Sequence, residues 1–375
     1  METLSGQYVP EPLVIDILSR LPVKSLLRFE TVSKAWLSLI SNPAFVDLNL
    51  RRRASKNNDT LLVHSVGGSF NSVSLGSVGS GINNQYYEGA LKCNLYIVGS
   101  CNGIVCAALG KPCKIRDRRL DGWEPVYARN LVRIFLWNPA TKQSKLLPIH
   151  TLPSGIVGFG FDPIANDYKV VEVSVENDAS VYSANANAWK KTGSLLILPC
   201  NFIADCCVKG VVYWTWTDGL IRFDLNKEVF YYQRFPANVQ KTKHREHVHC
   251  TRVIEMKDCS DVAVCFHDGG SNNKVHLWTV NDGVGGSWTL KFSFDVPQGV
   301  DWFHGNLNNS GDILFKTEDG VWLLYNSDKK MTETVTLPHG ACETFKHTES
   351  LVSIGGSEPL NEMLEKLKVE DSRNR

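Results

Sequence analysis

Residues 135–148, FLWNPATKQSKLLP, hold a β-forming run that ends near Trp137, a polar turn, and a second β-forming run. The same unit recurs around Tyr182 in VYSANANAWKK, Phe223 in IRFDLNKEVFYY, Trp278 in HLWTVNDGVGGSW and Tyr325 in LLYNSDKKMTETV. Successive anchors are 45, 41, 55 and 47 residues apart. Each unit is preceded by further strand candidates: CNGIVCAAL, FGFDPIANDYKVVEV, CVKGVVYWTW, DVAVCFHD and GDILFKT. Short runs rich in Val, Ile, Phe, Tyr and Trp, separated by Gly, Asn, Asp and Pro clusters, are the mark of many short antiparallel strands. A period near four short strands fits a β-propeller blade, whose repeats run to about 40–50 residues. Five units are complete. The leftover strand candidates at Thr60–His64, Ser69–Leu75 and Glu349–Ile354 are expected to combine into a sixth blade, leaving no long free edge. A two-sheet β-sandwich is the alternative. Trp214, Trp216, Trp278, Trp288, Trp302 and Trp322 read as aromatic filling of the blades.

Before residue 50 the grammar is helical. In VPEPLVIDILSRLP the residues Leu13, Val14, Ile17, Leu18 and Leu21 fall at helical spacing and Pro22 stops the run. Val23, Leu26, Leu27, Val32, Trp36, Leu39 and Ile40 continue the period to Asn42-Pro43, and AFVDLNL adds a last amphipathic turn. About 40 residues of helix cannot bury so many apolar side chains alone. They must pack on the rest of the chain or on another protein, and three short helices crowded together point to a partner. Arg51-Arg52-Arg53-Ala54-Ser55-Lys56-Asn57-Asn58-Asp59 reads as a linker rather than a basic signal. The expected organisation is 1–50 helical, 51–59 linker, 60–356 propeller-like and 357–375 a tail. Leu360, Met363, Leu364 and Leu367 in that tail predict a short capping helix that frays beyond Lys368.

Composition narrows the class. The chain has 375 residues, 43% of them hydrophobic and 21% charged, which is the balance of a globular protein. Lys plus Arg is 40 and Asp plus Glu is 39, so a net charge of +1 offers no field to recruit nucleic acid or an anionic membrane. No apolar stretch reaches the ~18 residues of a membrane span. The first 20 residues have no basic n-region, so they do not read as a secretory signal. Eleven scattered cysteines suit a reducing, cytoplasmic and also nuclear setting, with most of them buried as small apolar side chains.

Catalytic chemistry finds little to stand on. His244, His247, His249 and Cys250 form the densest set of metal-ligand types, but no second Cys/His pair accompanies them, and no metal or other cofactor is expected. Cys101 and Cys106, and the adjacent Cys206 and Cys207, are not CxxC pairs and read as core. Gly76, Gly79 and Gly81 lack the strand, helix and Lys of a phosphate loop. Two long charged loops are the candidates for binding a protein substrate: Arg116, Arg118, Arg119 and Trp123 in the first, and Lys241, Lys243, His244 and Arg245 in the second.

The helical segment resembles the F-box motif of plant F-box proteins, roughly LPEDLVxEILxRLPVKSLLRFxCVSKxW. Val9 to Phe29 and Val32 to Trp36 carry the match, with Val9, Pro12 and Thr31 standing where the motif has Leu, an acidic residue and Cys. The rest is similar to the F-box-associated domain, in the phrases GSCNGIVC (99–106), WNPATKQSKLLP (137–148), GFGFDPIANDYKVV (158–171), VYSANANAW (181–189) and FDLNKEVF (223–230). HTESLVSI (347–354) is similar to a closing phrase of the S-locus F-box and S-locus-like branch. The resemblance implies a helical F-box followed by an all-β, six-bladed propeller, an α+β multidomain chain. It implies a non-catalytic substrate receptor of an SCF ubiquitin ligase, joined through a Skp-family adaptor to cullin and RING subunits. The adaptor-facing positions it implies are Pro10, Leu13, Ile17, Leu21, Pro22, Leu26, Val32 and Trp36, with Leu26 and Trp36 as anchors and Leu39 and Ile40 packing inward. On the S-locus reading the cargo would be pistil S-ribonucleases. The competing reading is a kelch-like enzyme or sugar-binding propeller with a helical dimerisation arm.

Overall fold

The computed structural model describes residues 9–55, 60–65, 69–74, 84–87, 94–115, 126–150, 154–174, 176–195, 203–216, 218–236, 251–256, 262–268, 273–280, 287–306 and 312–373. Four helices come first: α1 (Glu11–Leu18), α2 (Val23–Phe29), α3 (Lys34–Ile40) and α4 (Pro43–Ser55). Pro10 and Pro22 stand at the N-caps of α1 and α2, where a missing N–H costs nothing. Ser33 caps α3 by accepting from the Trp36 N–H at 3.2 Å, and Asn42 accepts from the Ala44 N–H at the start of α4. Leu18, Val23, Leu26, Ile40 and Phe45 form the buried centre of the four helices.

The expected linker is a correction. α4 runs on through Ser55, so Arg51, Arg52 and Arg53 are helical, and each has an acidic partner: Asp47, Asp16 and Glu349 at 2.8, 2.8 and 3.1 Å. Charge density suggested a solvated connector, whereas those charges are spent on specific pairs that extend the helix.

The remainder forms six antiparallel sheets, the six blades of a propeller. Blades 3 to 6 are four-stranded meanders in sequence order. The innermost strands are Asn94–Cys101, Ser154–Asp162, Cys206–Val208, Thr251–Glu255, Val300–Asn306 and Ala341–His347, and each adjoins the next around the ring. Blade 1 takes its inner strand from Ala341–His347 and its outer three from Thr60–Ser65, Ser69–Ser74 and Asn84–Tyr87. Leu62 pairs with Phe345 and Thr60 with His347, so the ring closes by joining the two ends of the domain.

The closing strand is therefore Ala341–His347 and not Glu349–Ile354, the strand candidate expected from the sequence. Residues 348–354 are irregular, because the carbonyls of Ser350 and Val352 are taken by the Asn138 side chain rather than by a neighbouring strand. All five repeat anchors lie on the third strands of blades 2 to 6. In four of them the strand ends one residue later on a polar side chain that accepts from the following turn. Asn138, Ser183, Asp224 and Asn326 accept from the N–H groups of Ala140, Ala186, Asn226 and Lys329. Four residues after each, Lys142, Asn187, Glu228 and Lys330 turn left-handed, with φ of 61°, 50°, 56° and 54°. This side-chain-to-backbone turn is the physical content of the polar segment in the repeat. Trp278 differs, sitting within Lys274–Val280 rather than at its end.

The tail adds a fifth strand, Glu358–Pro359, to blade 2 and then α5 (Leu360–Arg373). Leu360, Met363, Leu364 and Leu367 are buried against Leu62, Phe70, Ile97, Phe135 and Trp137, so the helix caps the junction of blades 1 and 2. It continues past Lys368, where the sequence reading ended it.

Candidate functional site

Burial of α1 to α4 separates two sets of apolar side chains. Leu26 is 0% exposed, in the centre of the helical core; as an outward anchor it is corrected to a packing residue. Ile40 shares that core, while Leu21, Leu39 and Trp36 are partly buried around it, Trp36 edge-on to Phe29 at 5.2 Å. Leu13 and Ile17 are 55% and 56% exposed, one turn apart on α1, and Val32 is exposed between α2 and α3, as are Pro10 and Pro22. Val9 and Leu37 are also uncovered, and sequence periodicity did not single them out. Of the thirteen exposed large hydrophobic side chains among the described residues, five fall between Val9 and Leu37. Scattered single residues of this kind are ordinary; a concentration of them along three short consecutive helices is the mark of an interaction face.

The helices are fastened to one another and to the propeller. Arg52 bridges α4 to the Asp16 carboxylate and backbone carbonyl in α1, and Asn49 donates to the Ser19 carbonyl at 2.9 Å. Hydrogen bonds from Arg20 and then Arg52 hold the Asp16 carboxyl below its ordinary range. Arg53 donates to the Glu349 carboxylate, and Leu351 and Ala140 from the propeller complete the helical core. Asn138 anchors that contact. Its Oδ1 accepts from the Ala140 and Thr141 N–H groups, and its Nδ2 donates to the Ser350 and Val352 carbonyls at 3.0 and 2.8 Å. Ser350 in turn donates to the Asn102 carbonyl at 3.1 Å. At Gly103, with φ of +80°, a Cβ would lie 2.0 Å from Ser350 Oγ, so only glycine admits this approach. Three of the repeated phrases, at 99–106, 137–148 and 347–354, thus meet under the helices.

A fourth phrase does similar work between blades 3 and 4. Lys169 donates to Asp162 Oδ2 at 3.0 Å and to the Leu225 carbonyl at 2.7 Å, and Asn226 donates to Asp162. Despite its burial, Asp162 is held below the ordinary carboxylate range by hydrogen bonds, from the Ala165 N–H first and then Lys169 and Asn226.

Antiparallel topology fixes which end of the ring each connection occupies. Helix α4 leads into Thr60–Ser65, the second strand of blade 1, so the helices sit where second strands begin. The segment after Ile104–Ile115 follows a second strand, and the segment after Val229–Arg234 follows a fourth, so both leave from the opposite face. Arg116, Arg118, Arg119 and Trp123, and Lys241, Lys243, His244 and Arg245, belong to those two segments and lie outside the described residues, as do Gly76 to Gly81 and His247 to Cys250. On blade 2 the ladder between the flanking strands continues to Ile115 and Val126, making a hairpin longer than any in the other blades.

Residues 87–351 match the family described as the F-box associated beta propeller domain, and residues 9–48 match the F-box domain. The first match spans more than half of the sequence, and the chain belongs to this family of F-box proteins with an F-box-associated propeller. Among curated proteins it is similar to the Arabidopsis thaliana F-box protein At1g30790, at 26% identity with 82% of each chain covered. It is 29% identical to the F-box protein At1g67130 of the same plant, covering 79% of this chain and 62% of that one. The F-box/kelch-repeat protein At3g23880, also from Arabidopsis thaliana, is 24% identical over 61% of this chain and 66% of its own. Among solved structures, TolB from Acinetobacter baumannii aligns with a TM-score of 0.46 and 9% identity, over 80% of this chain and 70% of that one.

Proposed function

We propose that this protein is the substrate receptor of an SCF-type ubiquitin ligase. Its F-box docks on a Skp-family adaptor, and through it on cullin and RING subunits, while the propeller holds a protein destined for ubiquitination in the cytoplasm or nucleus. The observation that carries the reading is the split within α1 to α4. Leu18, Val23, Leu26, Ile40 and Phe45 suffice for a core, yet Leu13, Ile17, Val32 and Leu37 are left in water. A groove on an adaptor that covers them would gain the hydrophobic free energy the chain forgoes. Pro10, Leu13, Ile17, Pro22 and Val32 are assigned to that contact with Leu37, and Leu21 and Trp36 to its edge.

The receptor does no covalent chemistry. It raises the local concentration of substrate lysines near the ubiquitin-charged enzyme, and a propeller fastened to the F-box makes that geometry reproducible. Substrate is assigned to the face opposite the helices, where the two charged segments leave the ring and where an adaptor under the F-box leaves room. The phrase at 347–354, the ground for S-ribonuclease as cargo, is occupied in holding Asn138 and the helices together. It therefore supports ancestry and not that cargo, and the assignment stops at a protein. The test is co-purification of the full chain with a Skp-family adaptor. Wild type should retain it stoichiometrically and Leu13→Asp/Ile17→Asp should not; retention by the double variant would overturn the assignment of this face.

A further inference from the structure

The helical unit treats its cations in two ways. The arginines beside α1 and in α4 are paired: Arg20 and Arg52 with Asp16 at 3.1 and 2.8 Å, Arg51 with Asp47 at 2.8 Å, and Arg53 with Glu349 at 3.1 Å. The cations of α2 and α3 are not. Lys24, Arg28 and Lys34 are exposed, and among the described residues none of their side chains has an ion-pair or hydrogen-bond partner. Glu30 stands among them in the chain, but it is partly buried and pairs with none of the three. Burial alone acts on its carboxyl, pushing its pKa up.

This arrangement works against the helices themselves. Lys24 and Arg28 are four residues apart on α2, the spacing at which like charges on a helix repel. The three cations also adjoin the uncovered apolar side chains. Val32 follows Arg28 by four residues through the turn after α2, and Lys34 stands one helical turn before Leu37 on α3. Val32 and Leu37 are 55% and 46% exposed.

The resulting field has a direction. The α1 side of the same face carries the exposed Glu11, and its other acid, Asp16, is already neutralised by Arg20 and Arg52. Net positive charge therefore lies on α2 and α3 alone. A lone unpaired cation on a surface is ordinary; three on two consecutive short helices, beside apolar side chains left in water, form a patch that attracts an oppositely charged surface.

Resting on the adaptor reading, we infer that the adaptor is acidic where its groove meets α2 and α3, and that Lys24, Arg28 and Lys34 steer it onto the F-box. The apolar side chains hold the complex, while the cations act on encounter and on the orientation in which the adaptor arrives. Rim charges of this kind change the association rate and its salt dependence more than the lifetime of the complex.

Stopped-flow association of the full chain with a Skp-family adaptor tests this between about 30 and about 300 mM salt, where screening shortens from roughly 20 Å to a few ångström. The wild-type association rate should fall steeply as salt rises. Lys24→Gln/Arg28→Gln/Lys34→Gln should associate about tenfold or more slowly at the low-salt end, with little salt dependence left and a dissociation rate within about threefold of wild type. Lys190→Gln/Lys191→Gln/Lys291→Gln removes the same charge from exposed outer strands of blades 3 and 5 and should keep the wild-type rate. Lys24→Arg/Lys34→Arg, which retains the charge, should keep it as well. A salt-independent wild-type rate, equal rates in the first variant and wild type, or equal slowing in both glutamine variants would overturn the inference and leave the adaptor reading standing. A folded wild-type chain that binds no adaptor would overturn both.

Discussion

Replacing Leu351 by Ala should loosen the F-box while leaving the propeller intact. Leu351 comes from the irregular segment after the ring-closing strand, yet its side chain is buried in the core of α1 to α4 beside Leu18, Val23, Leu26, Ile40 and Phe45. A Leu→Ala change in such a site costs about 2–5 kcal/mol. The helical unit of residues 9–55 has a stability of about 2–7 kcal/mol at the usual ~0.05–0.15 kcal/mol per residue. Even the lower figure is a large share of that. At about 1.4 kcal/mol per factor of ten, 2 kcal/mol raises the population of opened helices roughly 30-fold. Hydrogen exchange read by mass spectrometry resolves this. Amides of α2, α3 and α4 should lose protection by at least that factor, while strands of blades 3 to 5 stay within twofold of wild type. The exposed Ser353→Ala in the same segment should change neither. Unchanged protection in the helices would refute the reasoning, since it would mean that the propeller contributes nothing to the F-box core. Equal loss everywhere would refute it differently, by showing that the two parts open only together.

Leu26→Ala should destabilise the helices by about 2–5 kcal/mol in denaturant unfolding, whereas Leu13→Asp/Ile17→Asp should stay within about 1 kcal/mol of wild type, because only the first leaves a cavity. Asn138→Asp keeps the turn but replaces the Nδ2 donor with an oxygen facing the Ser350 and Val352 carbonyls. A loss of about 2 kcal/mol or more is expected, read as a lowered denaturation midpoint, and an unchanged midpoint would rule out the role given to that amide. His347 on the ring-closing strand is fully buried, and burial first, then Arg53, lowers its pKa to about 4 from 6.5. Its folded value lies below its unfolded one, so its contribution is present above pH 6.5 and is lost as pH falls from there toward 4. That loss is on the order of 3 kcal/mol. Denaturant unfolding of wild type and His347→Gln across this interval should show the steeper decline in wild type, and parallel curves would argue against the assignment.

Much of this architecture was legible because the repeat has a physical cause. Trp137, Tyr182, Phe223 and Tyr325 fill the space beside the third strand of each blade, and the polar residue after each closes a turn with its own backbone. Both requirements are local, so they leave a periodic trace in the residues. The closing strand left none. Ala341–His347 has its partner, Thr60–Ser65, nearly three hundred residues away, so no local pattern announces the pairing. Leu26 is expected to face outward only from its matched position in the motif; its periodicity puts it on an apolar face like Leu13 and Ile17, and only tertiary packing decides which face is covered. The arginines at 51–53 read as a solvated run because Asp16 and Glu349, the partners of Arg52 and Arg53, are distant in sequence.

The phrases at 99–106, 137–148, 158–171 and 347–354, which first suggested the family, prove to be the fastenings of blades and helices. They report the scaffold, and cargo preference must be sought elsewhere on the propeller.

The most direct measurement of the central claim is a calorimetric titration of the full-length chain with a Skp-family adaptor at several temperatures. A one-to-one complex is expected, with a negative heat-capacity change, as burial of Leu13, Ile17, Val32 and Leu37 requires, and an affinity that collapses in Leu13→Asp/Ile17→Asp. A folded wild-type chain that takes up no adaptor, or a double variant that binds as tightly as wild type, would contradict it.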